Sequence, residues 1–195
     1  MPSTSEPKDQ LEDRELVRLV QSGDKAAFEI LIRRHQDKIL NLCFRLLGQA
    51  GSARELAGDI FAEAFRSISG FQGRSEFGTW LYRVGLNRVY AHIRRTVRKR
   101  SFEEPLILPD QNQEREVPAE TVHPLEALEL EEKRFRIRKV LAGLSKDHAQ
   151  MLILHDVEGR SYEEMSELLE IPIGTVMSRL SRAREAFRKK WNKIC

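Results

Sequence analysis

The sequence predicts an all-α protein made of two small helical domains, an N-terminal helical bundle and a C-terminal helix-turn-helix, joined by an acidic flexible linker. Three observations carry this. Apolar residues recur at helical spacing, with strand-like alternation nearly absent. Capping residues and glycines punctuate the helical runs. Charge falls in blocks: residues 1–100 carry 18 Lys/Arg against 12 Asp/Glu, residues 101–132 one Arg against 10 acids, and residues 133–195 carry 14 bases against 8 acids. The acidic block also holds Pro105, Pro109, Pro118 and Pro124 and lacks amphipathic periodicity, so it reads as an extended tether. The expected segments are a tail at 1–10, a first domain at 11–100, the linker at 101–125 and a second domain at 126–195.

Helices are expected near 11–22, 24–48, 52–69, 76–99, 126–143, 146–157, 161–169 and 173–191. Asp24 precedes the long run carrying Phe28, Leu31, Ile32, Ile39, Leu42, Leu46 and Leu47, with Phe44 less regularly placed. Gly48 and Gly51 break that run from the next, and Gly70 with Gly73 ends the helix that follows. Ser52-Ala-Arg-Glu55 and Ser161-Tyr-Glu-Glu164 both match the capping box, in which Ser and Glu side chains satisfy free amides at a helix start. In 76–99, Tyr82, Leu86, Val89, Ile93 and Val97 form one apolar stripe. In the last two helices, Tyr162, Met165, Leu168 and Ile171 face Val176, Leu180, Ala183 and Phe187 across the brief turn Glu170-Ile-Pro172, a helix-turn-helix pattern.

Composition excludes several classes. No apolar run reaches the roughly 18 residues needed to cross a bilayer, and the N-terminus has no secretory pattern. Cys43 and Cys195 rule out a disulfide framework and a thiolate zinc site; Cys43 reads as a core residue and Cys195 as exposed. His35, His92, His123, His148 and His155 lack metal-ligand spacing. There is no glycine-rich phosphate loop, nucleophile elbow or paired-carboxylate site. The expectation is a soluble intracellular protein that is not an enzyme and takes no metal, cofactor or small-molecule substrate.

Two stretches carry interaction chemistry. On a helical wheel Thr175, Ser178, Arg179 and Arg182 share a face opposite the apolar set. Arg can bond guanine in bidentate fashion, and Ser and Thr can hold phosphates, so this face suits a major groove. Arg184, Arg188, Lys189 and Lys190 suit phosphate contact; the bland reading is an arginine-rich surface helix. In the N-terminal domain, Trp80, Asn87, Tyr90, Arg94 and Arg98 fall on the same face as Arg83, just after a glycine-containing loop. Aromatics among arginines suit single-stranded nucleic acid, with bases stacked and backbone tracked, and the loop lets an unstacked base approach. Equally, Trp80 and Tyr90 are core residues and the arginines are solvated.

The block Phe71-Gln-Gly-Arg-Ser75-Glu-Phe77-Gly-Thr79-Trp80-Leu81-Tyr82-Arg83-Val84, followed by Asn87, resembles the promoter-melting segment of bacterial extracytoplasmic-function (ECF) sigma factors. Glu158-Gly-Arg-Ser161-Tyr162-Glu-Glu and Ile171-Pro-Ile-Gly174-Thr175-Val176-Met-Ser178-Arg179-Leu-Ser-Arg182-Ala183-Arg184 resemble that family's C-terminal helix-turn-helix. The likeness runs from about residue 11 to 191 with matching order and spacing. It implies an alternative sigma factor that binds core RNA polymerase through the beta and beta-prime subunits and directs promoter recognition and melting. By position, Phe71, Gly73, Arg74, Ser75, Trp80, Arg83, Asn87 and Arg94 would meet the single-stranded minus-ten element. Thr175, Met177, Ser178, Arg179, Ser181 and Arg182 would read the minus-thirty-five duplex, and Glu55, Leu56, Asp59 and Phe61 would dock on the polymerase. The resemblance further implies an anti-sigma partner and a cytoplasmic protein held, when bound to it, at the inner membrane face, without inserting itself. The acidic linker, with Glu103, Glu104, Glu114 and Glu116, would lie in the RNA path or serve as a solvated tether.

Four positions depart from the family pattern: Gly58 and Asp59 replace Gln and Glu in the docking helix, Met177 replaces a basic residue, and Glu170 stands where Gly is usual in the turn. A stand-alone helix-turn-helix regulator is the rival reading, and a protein-interaction adaptor a third; the regulator leaves Phe71–Arg100 without a task.

Overall fold

The computed structural model describes residues 8–102 and 124–194, with side chains described outside 101–102 and 124–128. Most of the tail at 1–10, most of the linker at 101–125 with Glu103, Glu104, Glu114 and Glu116, and Cys195 lie outside the described residues. The helices are α1 (Asp13–Gln21), α2 (Lys25–Leu47), α3 (Ala50–Ser67), α4 (Phe77–Phe102), α5 (Pro124–Ala142), α6 (Lys146–Leu152), α7 (Tyr162–Leu169) and α8 (Ile173–Ile194). Among the described residues there is no strand. Packing divides the chain into two units, Met1–Arg88 and Val89–Cys195, with the division inside α4.

In the first unit, α2 packs against α1 and α3. Leu16, Leu31, Leu42, Ile60 and Leu86 are fully buried there, each removal from water contributing about 1.5–3 kcal/mol. Asp24 caps α2, its carboxylate accepting from the Ala26 and Ala27 amides at 3.0 and 3.4 Å. Lys8 also bonds this carboxylate and holds it below the ordinary range. Gly48 closes α2 in the left-handed region at φ 75°, its amide donating to the Phe44 carbonyl.

The expected capping box at Ser52 does not form. Helix α3 begins two residues earlier, with Gln49 as N-cap, so Ser52 and Gly51 lie inside the first turn. The Ala53 amide already bonds the Gln49 carbonyl at 3.0 Å, and the Ser52 hydroxyl is left with Gln49 Oε1 at 3.4 Å. A single 3-10 turn, Ile68–Gly70, ends α3 near the expected position.

In the second unit, α8 packs against α5, α6 and α7 around Val140, Met151, Met165, Val176, Leu180 and Ala183. Ser145 caps α6 by accepting from the His148 amide at 3.3 Å. The expected single helix 146–157 instead changes character: after Leu152 the chain widens into a π turn, Ile153–Val157, where the Glu158 amide reaches the Ile153 carbonyl at 2.9 Å. The capping box at α7 is complete, with the Glu164 amide donating to Ser161 Oγ at 3.2 Å and the Ser161 amide to the Glu164 carboxylate at 2.9 Å. Glu170 closes α7 in the left-handed region, at φ 55° and ψ 44°, a conformation that favours glycine. The turn is then stapled by Ser166, whose hydroxyl donates to the Ile171 carbonyl at 2.6 Å.

Candidate nucleic-acid interface

In the first unit an aromatic cluster forms where the loop after α3 enters α4. The Phe71 ring lies 5.1 Å from Trp80, and Phe77 lies 5.6 Å from Trp80 and 6.2 Å from Phe71. Phe77 is buried, whereas Phe71 and Trp80 are half-buried, so the pair keeps ring surface open. The loop between them is fixed at three points. Gln21, the last residue of α1, donates to the Ile68 and Phe71 carbonyls at 2.8 and 3.0 Å. Arg83, in the second turn of α4, reaches back to the loop to donate to Ser75 Oγ at 2.9 Å. Gly73 turns the chain at φ +67°, a conformation L side chains rarely adopt, with no atom within 4 Å of where a Cβ would stand. Arg74, Asn87 and Arg94 are exposed; Ser75 and Arg83 are half-buried.

Behind this cluster stands His35. Its ring meets Phe77 edge-on at 5.3 Å and its Nε2 lies 2.6 Å from Asp13, which also accepts from Arg34 at 2.8 Å. A Cβ at Gly78 would approach His35 to 3.0 Å, so the glycine lets α4 close on the ring. Sequence reading treated His35 as an ordinary histidine and missed both it and Gln21; no local signal marks either. Tyr90, placed by the wheel beside Trp80, is instead a core residue: it is buried, and within the second unit its hydroxyl donates to the Leu144 carbonyl at 2.6 Å.

Among the residues expected on the polymerase side, Glu55 and Asp59 are exposed on α3, while Leu56 and Phe61 are buried in the unit's own core. Asp59 pairs with Arg88 of α4 at 3.0 Å. Gly58 sits between them on the surface with nothing near its missing Cβ.

In the second unit the first turns of α8 are open. Ser178, Ser181 and Arg182 are exposed, Thr175 and Arg179 are half-buried, and Met177 shows 52% of its surface beside Ile173 at 41%. Arg179 lies 3.9 Å from Asp147, a contact too long to hold the guanidinium. Arg184, also exposed, is tied back to the π turn: its Nη2 donates to Asp156 at 2.6 Å. Among the described residues, no group of three His, Cys, Asp or Glu side chains could hold a metal ion, and no helix is long and apolar enough to cross a membrane. Burial pushes the Cys43 thiol up to about 12.

The geometry is thus a stacking loop on one unit and a helix-turn-helix on the other. Family models match both: Sigma-70 region 2 over residues 31–99 and Sigma-70 region 4 over residues 134–187. These define the class, a chain carrying two sigma-70 regions. The chain is 34% identical over 181 residues to the RNA polymerase sigma-H factor of Pseudomonas aeruginosa, covering 92% of this chain and 94% of that protein. It is 33% identical over 183 residues to the ECF RNA polymerase sigma-E factor of Escherichia coli K12, covering 93% and 95%. The structure of CnrH in complex with the cytosolic domain of CnrY shares the fold, with a TM-score of 0.50 at 21% identity over 93% of this chain and 97% of that one. The chain belongs to the ECF sigma factor family.

Proposed function

We propose that this chain is a non-catalytic transcription initiation subunit that works in the cytoplasm. It binds core RNA polymerase through the beta and beta-prime subunits and directs it to promoters. In this reading residues 11–100 form the domain that docks and melts, 101–125 the linker and 126–195 the domain that reads the upstream element. The observation that carries it is one chain holding both an open aromatic loop, Phe71 against Trp80 at 5.1 Å, and a capped helix-turn-helix with exposed Ser178, Ser181 and Arg182. A duplex reader alone has no use for the loop.

The roles follow from exposure and chemistry. Phe71 and Trp80 offer faces on which an unstacked minus-ten base stacks, at about 1–3 kcal/mol per base. Gly73, Arg74 and Ser75 shape the approach, Arg83 holds the loop through Ser75, and Asn87 and Arg94 stand exposed further along α4 for the strand. Thr175, Met177, Ser178, Arg179, Ser181 and Arg182 face the minus-thirty-five duplex, with Arg182 the candidate for a bidentate guanine contact. Glu55 and Asp59 present charge to the polymerase, and Leu56 and Phe61 act from within by seating α3. Family membership supports an anti-sigma partner that covers these surfaces and holds the protein at the inner membrane face.

The test compares duplex binding with and without polymerase. The full chain should bind a cognate upstream element weakly alone and tightly, with strand opening, once core polymerase is added. Tight binding of the chain alone, unchanged by polymerase, would make it a self-sufficient regulator.

A further inference from the structure

The π turn after α6 and the body of α8 are joined by a polar cluster that no role above uses. Arg184 Nη2 lies 2.6 Å from Asp156 Oδ1 and its Nε 3.5 Å from Oδ2, so one guanidinium spans both carboxylate oxygens. His155 Nδ1 lies 2.9 Å from the same carboxylate and 3.1 Å from Arg184 Nη2. It donates to the first or accepts from the second, and either way stays in the cluster. The ring also stacks on Tyr162, the first residue of α7, at 5.4 Å and 29°. Neighbours on an α-helix diverge by about 100°. Here His155 and Asp156 reach one guanidinium, and the wider π turn that carries them narrows that divergence.

The cluster therefore ties three elements: the π turn, the start of α7 and α8. On α8, Arg184 follows buried Ala183 and lies about 200° round the helix from Arg182. Met177 lies on the same side two turns earlier, so the side alone does not decide its role; the bonds to Asp156 do. Partial burial pushes the Asp156 carboxyl up, and the hydrogen bonds from Arg184 and His155 outweigh it, holding the group below the ordinary carboxylate range.

We propose that Asp156, assisted by His155, is a positioning residue that acts through Arg184 to seat α8 for reading the upstream element, and that Arg184 is not a phosphate contact. This rests on the initiation-factor reading. The bridge fixes the rotation and depth of α8 relative to the π turn, and so the direction in which Thr175, Ser178 and Arg182 project.

The test uses the full chain assembled with bacterial core polymerase on a promoter the wild type selects. Affinity for that promoter and for one with a scrambled upstream element is measured across a salt series. The variants are Asp156→Asn, Arg184→Gln and the double reversal Asp156→Arg with Arg184→Asp, and the melting temperature of each is recorded. Each single variant should lower the cognate-to-scrambled ratio about threefold, the scale of a partly exposed bidentate bridge. The salt slope should stay unchanged, and the double reversal should restore the ratio. If Asp156→Asn binds as well as or better than wild type while Arg184→Gln weakens both DNAs alike and flattens the log–log salt slope by about 0.9, Arg184 is a phosphate contact and the proposal is wrong. A lower melting temperature with an unchanged ratio overturns it too, leaving only a stability contact. Should a single variant be unfolded at the assay temperature, the double reversal decides, since a ratio below wild type in that folded variant refutes the bridge. Failure of the wild type itself to bind any promoter with polymerase would instead sink the initiation-factor reading.

Discussion

Glu170 is the one described non-glycine residue with positive φ, held at φ 55° and ψ 44° where α7 gives way to the turn before α8. For an L residue this conformation costs about 1–2 kcal/mol, from the approach of Cβ to the following carbonyl. Glycine escapes that cost but gives back about 0.5–1 kcal/mol in unfolded-chain freedom. Glu170→Gly should therefore leave the second unit more stable than Glu170→Ala by about 0.5–1 kcal/mol. For a unit of this size that is a rise in melting temperature of about 2–8 °C. The assay is thermal unfolding of the full chain followed by far-ultraviolet circular dichroism, with Glu170→Ala as the control. Alanine removes the same charge and side chain but keeps Cβ, so it should give none of the gain. Equal shifts in the two variants would locate the effect in the glutamate's side chain and refute the backbone argument; a glycine variant less stable than the alanine one would refute it outright.

Further outcomes follow from other sites. Arg182→Ala should cost about 1–3 kcal/mol of discrimination for one base pair of the upstream element, read by competition binding; uniform loss on all sequences would make it a phosphate contact. Trp80→Ala should weaken binding of the polymerase complex to a single-stranded minus-ten oligonucleotide by about 1–3 kcal/mol, the scale of one stacked base, and a lower melting temperature with unchanged affinity for that oligonucleotide would assign Trp80 to folding alone. Because the Asp156 carboxyl is held below its ordinary 3.8, the native state takes up that proton later than the unfolded chain. Its contribution to stability is complete above that ordinary value and is lost as pH falls through the depressed one. Wild type should thus lose stability in acid more steeply than Asp156→Asn, and parallel curves would contradict this. Cys43 is fully buried with its thiol near 12, so in a Cys195→Ser background a thiol reagent at pH 8 should label it only after unfolding.

Helix placement was legible because the apolar period sets which face can be buried, and α2, α4, α7 and α8 follow it closely. The Ser161–Glu164 box was legible because no competing start lay upstream. The Ser52 box failed because Gln49 and Ala50 offered an earlier start and an N-cap needs only an extended residue before the first turn. The π turn was invisible, since Ile153 and Leu154 continue the apolar run of α6 and nothing in so short a stretch marks the wider turn. At the candidate interface, sequence gathered the first turns of α8, whose positions along one element determine their neighbours, and joined Phe71 to Trp80 only through the family resemblance. Sequence set Arg182 on the reading face and Arg184 among phosphate contacts, and it could not show the bridge from Arg184 to Asp156, because an arginine's partner comes from a distant element. For the same reason it left Tyr90 open between the stacking set and the core, where tertiary burial decides, and it could not see that Leu56 and Phe61 turn inward on α3 while Glu55 turns out.

The central claim is that this chain confers promoter specificity on a polymerase that lacks it. The direct measurement is transcription from a randomised promoter library by bacterial core polymerase, with and without the chain, sequencing every transcript start. The account predicts starts that occur only with the chain and share two spaced elements, one upstream and one at the melted region, with the melted-region preference lost in Trp80→Ala and the upstream preference altered in Arg182→Ala. Identical transcript sets with and without the chain, together with no stable complex between chain and core polymerase, would contradict it.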